Sequence, residues 1–424
     1  MATSIILIFI IGYLAITLEH NININKAASA LVTGVLCWTV YILNQTDTHL
    51  VSHQLMEHLG EISGILFFLL GAMTIVELVD LHDGFQIITD KISTKSAKKL
   101  IWIVCIITFF LSAVLDNLTT TIVMVSLLRK LIADKEQRLF FVGMTVVAAN
   151  AGGAWSPLGD VTTTMLWIGG QVTAMNIIVQ LILPSIVCLL MPLAVVSMRL
   201  KGNVQAAETT GQRLTTTPFE RSLVFWLGLG VLVFVPVFKT VTHLPPFMAM
   251  LLGLAFLWIV TELIHNKKNE EDKNFLSVVY ALRKTDTPSI LFFLGILLSI
   301  AALQATGQLS QLAGWLSNTI ANDTVIVMCI GLLSAIVDNV PLVAAAQGMY
   351  SLEQYPVDHF FWEFLAYATG TGGSALIIGS AAGVAAMGME KVDFFWYLKK
   401  ITWLALIGYF AGAAVYIFQY GITH

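Results

Sequence analysis

Charge is scarce in this chain. Of its 424 residues only 11% are Asp, Glu, Lys or Arg, while 57% are hydrophobic, and the mean hydropathy is +0.83. A soluble chain of this length has no means of burying so much apolar surface, and long runs nearly free of charge recur from one end to the other. The scarcity predicts an all-α polytopic membrane protein. Basic residues are too few and too dispersed to build a face for nucleic acid, so no nucleic-acid partner is expected, and the net charge of −4 adds nothing to that. Cysteine is sparse as well: Cys37, Cys105, Cys188 and Cys329 stand singly in apolar segments, without the spacing of a metal site or redox pair. No metal motif or nucleophile–base pair is visible, which argues against an enzyme and against a resident cofactor. A cleavable leader is lacking too, because Ile5 to Leu18 has neither a basic start nor a clear small-x-small site and reads as a first span. Without an organelle transit sequence, the expected address is the inner (plasma) membrane of a bacterial cell.

Apolar runs predict spans near 3–18, 27–43, 60–80, 139–168, 174–198, 222–241, 244–264, 287–304, 358–389 and 397–420. Two more stretches, 100–128 and 322–350, do not suit a simple crossing. As one straight helix the first would run to ~44 Å at about 1.5 Å per residue, against a hydrocarbon core of ~30 Å. Its centre, Asp116-Asn117-Leu118-Thr119-Thr120, is a poor helix interior. Both stretches predict re-entrant helical hairpins with polar tips, the first reaching to about 132. Basic residues test that choice, since short loops rich in Lys and Arg face the cytoplasm. With two hairpins, 21 of the 22 basic residues, Lys26 among them, fall in loops on one side. Lys239, near a span end from which it can snorkel, is the exception. Both termini are then outside.

The chain repeats its own phrases. Ser112-Ala-Val-Leu-Asp116-Asn117 recurs as Ser334-Ala-Ile-Val-Asp338-Asn339, the Phe-Phe-Leu-Leu-Gly ending at Gly71 as the Phe-Phe-Leu-Gly ending at Gly295, and Asn150-Ala-Gly152-Gly153-Ala154 as Gly370-Thr-Gly372-Gly373-Ser374. Order and spacing are kept, the mark of an internally duplicated transporter. Five crossings plus one hairpin per half is an odd number of crossings, so the repeat is inverted: 1–198 and 222–424, joined by a polar cytoplasmic linker at 199–221. One hairpin tip then enters from the cytoplasm and the other from outside. Broken helices are expected at 139–168 and 358–389, where paired glycines interrupt the span. Irregular backbone at that depth is tolerated only where it is buried or lines a cavity.

Asp116 and Asp338 are the foremost candidates for a cation site, because a carboxylate deep in an apolar span normally marks an ion or proton path. Carboxylate, amide and carbonyl oxygens suit a hard cation such as Na+, which adds Asn117 and Asn339; the plainer alternative is that the aspartates cap their helices. Thr119, Thr120 and Thr121 offer a hydroxyl or are packing residues. Asp160 matches Ser380 in the other half, and is a third carboxylate near the ion or the N-cap of the following helix. Glu61, Glu77, Glu262 and Glu363 lie at span ends, and His20, His49, His53, His58 and His82 in loops or at span ends. No Lys or Arg falls at the predicted midplane, where a multiply charged anion would want one, although helix N-termini also hold anions.

Together, Leu115 to Met124 (LDNLTTTIVM), the NAGGAWSPLGDVTT run from Asn150, and the later IVDNVPLVAAA and GTGGSALIIGSAAG resemble the NhaD-type sodium/proton antiporters of the ion transporter superfamily. The resemblance covers nearly the whole chain. It implies exchange of Na+ or Li+ for H+, two inverted repeats each with a hairpin and a broken helix, and a homodimer in the bilayer. Carried over, the family's motifs fall on Asp116-Asn117 and Asp338-Asn339, with Thr119 or Thr120, Asn150, Asp160, Thr371 and Ser374 nearby. Related dicarboxylate carriers have Ser-Asn-Thr at both tips, where this chain has Asp-Asn-Leu and Asp-Asn-Val. The expected mechanism is competition of Na+ and protons for the two aspartates; the alternative is an oxyanion or dicarboxylate carrier.

Overall fold

The computed structural model describes residues 2–17, 19–89, 94–200, 202–205, 216–266, 268–320, 322–336 and 338–423. Of the linker expected at 199–221, residues 201 and 206–215 lie outside the described residues. The first half runs α1 (Ala2–Thr17), α2 (Glu19–Ile22), α3 (Lys26–Leu43), α4 (Thr48–Leu81), α5 (Gln86–Thr89), α6 (Ala97–Leu115), α7 (Asn117–Leu131), α8 (Lys135–Ala154), α9 (Val161–Ile168) and α10 (Ala174–Arg199). The second runs α11 (Pro218–Thr242), α12 (Pro246–His265), α13 (Glu270–Phe275), α14 (Val278–Lys284), α15 (Thr287–Ala305), α16 (Gln308–Ile320), α17 (Asp323–Leu333), α18 (Asn339–Met349), α19 (Phe360–Gly372), α20 (Ala381–Glu390), α21 (Phe394–Lys400) and α22 (Thr402–Thr423). Among the described residues eight helices are long and apolar enough to cross a membrane: α3, α4, α6, α10, α11, α12, α15 and α22.

One expected span differs in extent. Helix α4 starts at Thr48, well before the expected 60, because Asp47 accepts the Leu50 N–H at 3.0 Å as its N-cap and nothing up to Leu81 breaks the helix. Its 34 residues span ~51 Å, more than a bilayer core needs. The runs 139–168 and 358–389, where broken helices were expected, are each two helices, separated at 155–160 and 373–380, where Gly, Ser and, in the first, Pro interrupt the helix.

The stretch 97–131 folds back on itself. Gly202 O accepts the Ala97 N–H at 3.2 Å, before α6, and Gln205 O accepts the Ala133 N–H at 2.8 Å, after α7. The start of one arm and the end of the other thus hang from the same four-residue segment, with the turn at Asp116. The repeated phrases also make like contacts. Ser112 Oγ donates to Ala149 O at 2.6 Å, tying α6 to α8, and Ser334 Oγ donates to Thr369 O at 3.2 Å beside α17 and α19. Glycine allows both close approaches: a Cβ at Gly152 would stand 2.1 Å from Phe109 O, and one at Gly372 would stand 2.0 Å from Gly331 O. Across the halves α7 packs on α20, and α18 on α9.

The buried apolar residues form two clusters, a large one around the hairpins, the broken helices, α10 and α22, and a smaller one built chiefly on α3 and α15. At the far end of α4 the buried rings of His82 and His265 stack with their Nε2 atoms 3.3 Å apart, joining α4 to α12.

Candidate functional site

The seam between the two clusters holds both hairpin-tip Asp-Asn pairs and Asp160. A cavity of about 70 Å³ there is lined by Lys26, Asp116, Asn117, Asp160, Asp338 and Asn339, with apolar walls from Phe68, Leu69, Met250, Phe293 and Val340. On that measure each water needs ~10–15 Å³, so the space suits a few waters or a small ion.

Asp116 forms the tip of the first hairpin. It ends α6 and N-caps α7, its carboxylate accepting the Thr119 N–H and the Thr119 hydroxyl, each at 2.8 Å. Capping and cavity lining therefore coincide in one side chain. Its φ of 80° is unusual for a residue with a Cβ, a conformation costing ~1–3 kcal/mol that persists only where the surroundings impose it. Asp338 caps α18 more loosely, through the Val340 N–H at 3.3 Å.

Asp160, buried to 1% exposure, sits among donors from both halves. It caps α9 by accepting the Thr162 N–H at 2.9 Å and hydroxyl at 2.7 Å. Its other contacts are the tip amides, Asn117 Nδ2 at 2.7 Å and Asn339 Nδ2 at 3.5 Å. Asn117 Nδ2 donates also to Asn150 Oδ1 at 3.1 Å, and Asn150 Nδ2 donates to Ser374 Oγ and Ser380 Oγ, both at 2.9 Å. The two broken segments are thereby stitched together, Ser380 holding the place that Asp160 has in the first half.

The remaining candidates divide. Thr120 and Thr121 are buried, and their hydroxyls find no hydrogen-bond partner among the described residues. Thr371 donates to Tyr367 O of its own helix at 2.6 Å, so its hydroxyl is spent outside this network. Glu363 is buried and accepts from Tyr416 at 2.7 Å and from Asn176, whereas Glu61 is exposed beside His58. Glu262 accepts from Trp258 at 2.7 Å on the surface. Among the described residues no three His, Cys, Asp or Glu side chains are arranged to chelate a metal ion; the aspartates share a cavity and not one tight coordination sphere.

One site residue was missed by sequence reasoning. Lys26, assigned by the charge pattern to a loop, reaches into the cavity with Nζ 3.8 Å from Asp338 Oδ2. The expectation of a site without a basic residue is corrected: a lysine at the first position of a helix looks like a loop residue in sequence, and its long side chain carries the charge inward. Lys239, the exception to the charge pattern, donates to Trp167 O at 2.7 Å at the end of α9.

The site communicates unequally with its surroundings. Lys26, Met73, Leu118, Ser289 and Ala381 are shared with a wider cavity of about 690 Å³ that also presents Glu19, Glu77, Asp80, Lys284 and Asp286. It shares no lining residue with the cavity that His58, Glu61, Gln304 and Gln347 line. His58 and Asp80 lie on one helix ~33 Å apart, so those two cavities belong to opposite ends of the molecule.

A family model described as a citrate transporter, CitMHS, matches residues 5–372. Sodium/proton antiporter 1 of Arabidopsis thaliana is 51% identical over 97% of this chain and 71% of its own length. Sodium/proton antiporter 2 of the same plant is 47% identical over 97% and 98%. The Na+/H+ antiporter NhaD of Vibrio cholerae is 30% identical over 97% and 90%. Among solved structures the YdaH transporter of Alcanivorax borkumensis covers 90% of each chain with a TM-score of 0.59 and 12% identity, a likeness of fold.

Proposed function

The chain belongs to the CitMHS transporter family and to its relatives of the NhaD sodium/proton antiporter type, and from that membership we propose that it exchanges Na+, and Li+, for H+. The observation that carries this reading is the Asp160 carboxylate receiving both hairpin-tip amides beside Asp116 and Asp338. Burial disfavours a charged carboxylate, and neighbouring carboxylates disfavour one another's charge, unless a cation or a proton compensates. In our reading Na+ and protons compete for Asp116 and Asp338 within that cavity, with Asn117 and Asn339 as oxygen ligands to Na+ and Thr119, Thr120, Asn150 and Ser374 supporting them.

Three carboxylates against one lysine also speak against the citrate of the family model's name, since a tricarboxylate would meet surplus negative charge in a space of about 70 Å³. We further propose that 1–198 and 222–424 are inverted repeats in which 97–131 and 323–349 are re-entrant, and that the hairpin-bearing parts move against the rest to open the site at alternate ends. A homodimer in a bacterial plasma membrane with both termini outside completes the proposal.

The test is purified protein in liposomes with an internal pH dye, acid inside, given pulses of Na+, Li+, K+, succinate or citrate. Na+ and Li+ should each discharge the gradient and K+ should not. Uptake of labelled succinate or citrate with no response to Na+ would replace this reading by an anion carrier.

A further inference from the structure

Among the described residues Asp338 has weaker hydrogen-bond support than Asp116 and Asp160. Asp160 and Asp116 take close hydrogen bonds from neighbouring amides and hydroxyls, while Asp338 has the Val340 N–H at 3.3 Å and the Lys26 ammonium at 3.8 Å. A charge-assisted pair at its best is ~2.7–2.9 Å, so the Lys26 pair is close enough to compensate charge and loose enough to part.

The lysine is mounted to do so. It begins α3, with its backbone N–H on Glu19 Oε1 at 3.0 Å, and its ammonium lies 4.5 Å from the centre of the Phe292 ring on α15. Helices α3 and α15 pack extensively against each other, whereas Asp338 sits on the break between α17 and α18. Lys26 also belongs to the wall common to the site and the wider cavity, where a cation coming from the acidic vestibule would arrive. In that same position the face of the Phe292 ring attracts the ammonium, so its hold does not depend on Asp338 alone.

We propose that Lys26 is a tethered counter-cation that neutralises Asp338 when the site holds no Na+ and is displaced toward the vestibule when Na+ takes that carboxylate. The proposal rests on the Na+/H+ reading above. Lys26 thereby competes with Na+ for Asp338 and weakens apparent Na+ affinity, so that a bound ion leaves readily.

The experiment compares wild type, Lys26→Met and Lys26→Arg in liposomes, following proton movement against Na+ concentration at one fixed pH. The concentration of Na+ giving half the maximal rate should fall at least fivefold in Lys26→Met and return to within twofold of wild type in Lys26→Arg. An unchanged or raised value in Lys26→Met, with wild-type exchange intact, overturns the Lys26 proposal alone; no Na+-driven proton movement in wild type overturns the exchange reading as well. Should Lys26→Met not fold, amine-reactive labelling of wild-type protein read by peptide mass spectrometry gives the same decision. Labelling of Lys26 should rise severalfold in saturating Na+ over equal K+, and equal labelling in both overturns the proposal.

Discussion

The amides of Asn117 and Asn339 both donate to the Asp160 carboxylate, at 2.7 and 3.5 Å, so a residue of the first broken helix receives the tips of two segments far apart in sequence. Asp160→Asn would turn one acceptor face into a second NH2 group opposite a buried donor. The unmatched donor should cost about 1–3 kcal/mol of stability, read as a lower melting temperature in detergent, and Na+-driven proton release should fall to that of empty liposomes. Retained exchange would mean that Asp160 only caps α9. Asp116, Asn117, Asp338 and Asn339 were legible in the sequence because carboxylates and amides are conspicuous in apolar runs. Asp160 was visible as a cap or a ligand, and the fold makes it a cap that also faces the cavity. Lys26 was not legible, since its meeting with Asp338 depends on how α3 packs and on the reach of a flexible side chain.

At the scale of elements, glycine sets how closely the arms approach. In Gly152→Ala the new Cβ would lie 2.1 Å from the Phe109 carbonyl oxygen, a backbone atom that yields only if α6 and α8 separate. Overpacking of this kind typically costs about 1–3 kcal/mol. We expect a lower melting temperature and loss of exchange in Gly152→Ala and, by the matching contact at Gly331, in Gly372→Ala. Gly60→Ala, where a Cβ meets nothing within 4 Å, should leave both measures unchanged. The interruptions at 155–160 and 373–380 were legible because paired glycines and a proline are strong local signals. The early start of α4 was not: residues 48–59 are polar enough to read as a loop, and only the Asp47 cap shows where the helix begins.

Across the whole molecule, two apolar clusters meet at a seam, and the Asp-Asn pairs of the chain's repeated phrases, Asp116-Asn117 and Asp338-Asn339, are gathered there with Asp160. Composition was sufficient for the class, since so apolar a chain must place its helices in lipid, and the matched phrases pointed to the residues that meet. The seam itself depends on helices from both halves packing together and was not readable from either half alone. The most direct measurement is 22Na+ uptake into liposomes driven by an acidic interior, comparing wild type with Asp116→Asn combined with Asp338→Asn. Wild type should accumulate 22Na+ until the proton gradient is spent, and the double variant, folded by its melting curve, should take up no more than protein-free liposomes. Accumulation by the double variant at the wild-type rate would contradict the assignment of exchange to these carboxylates.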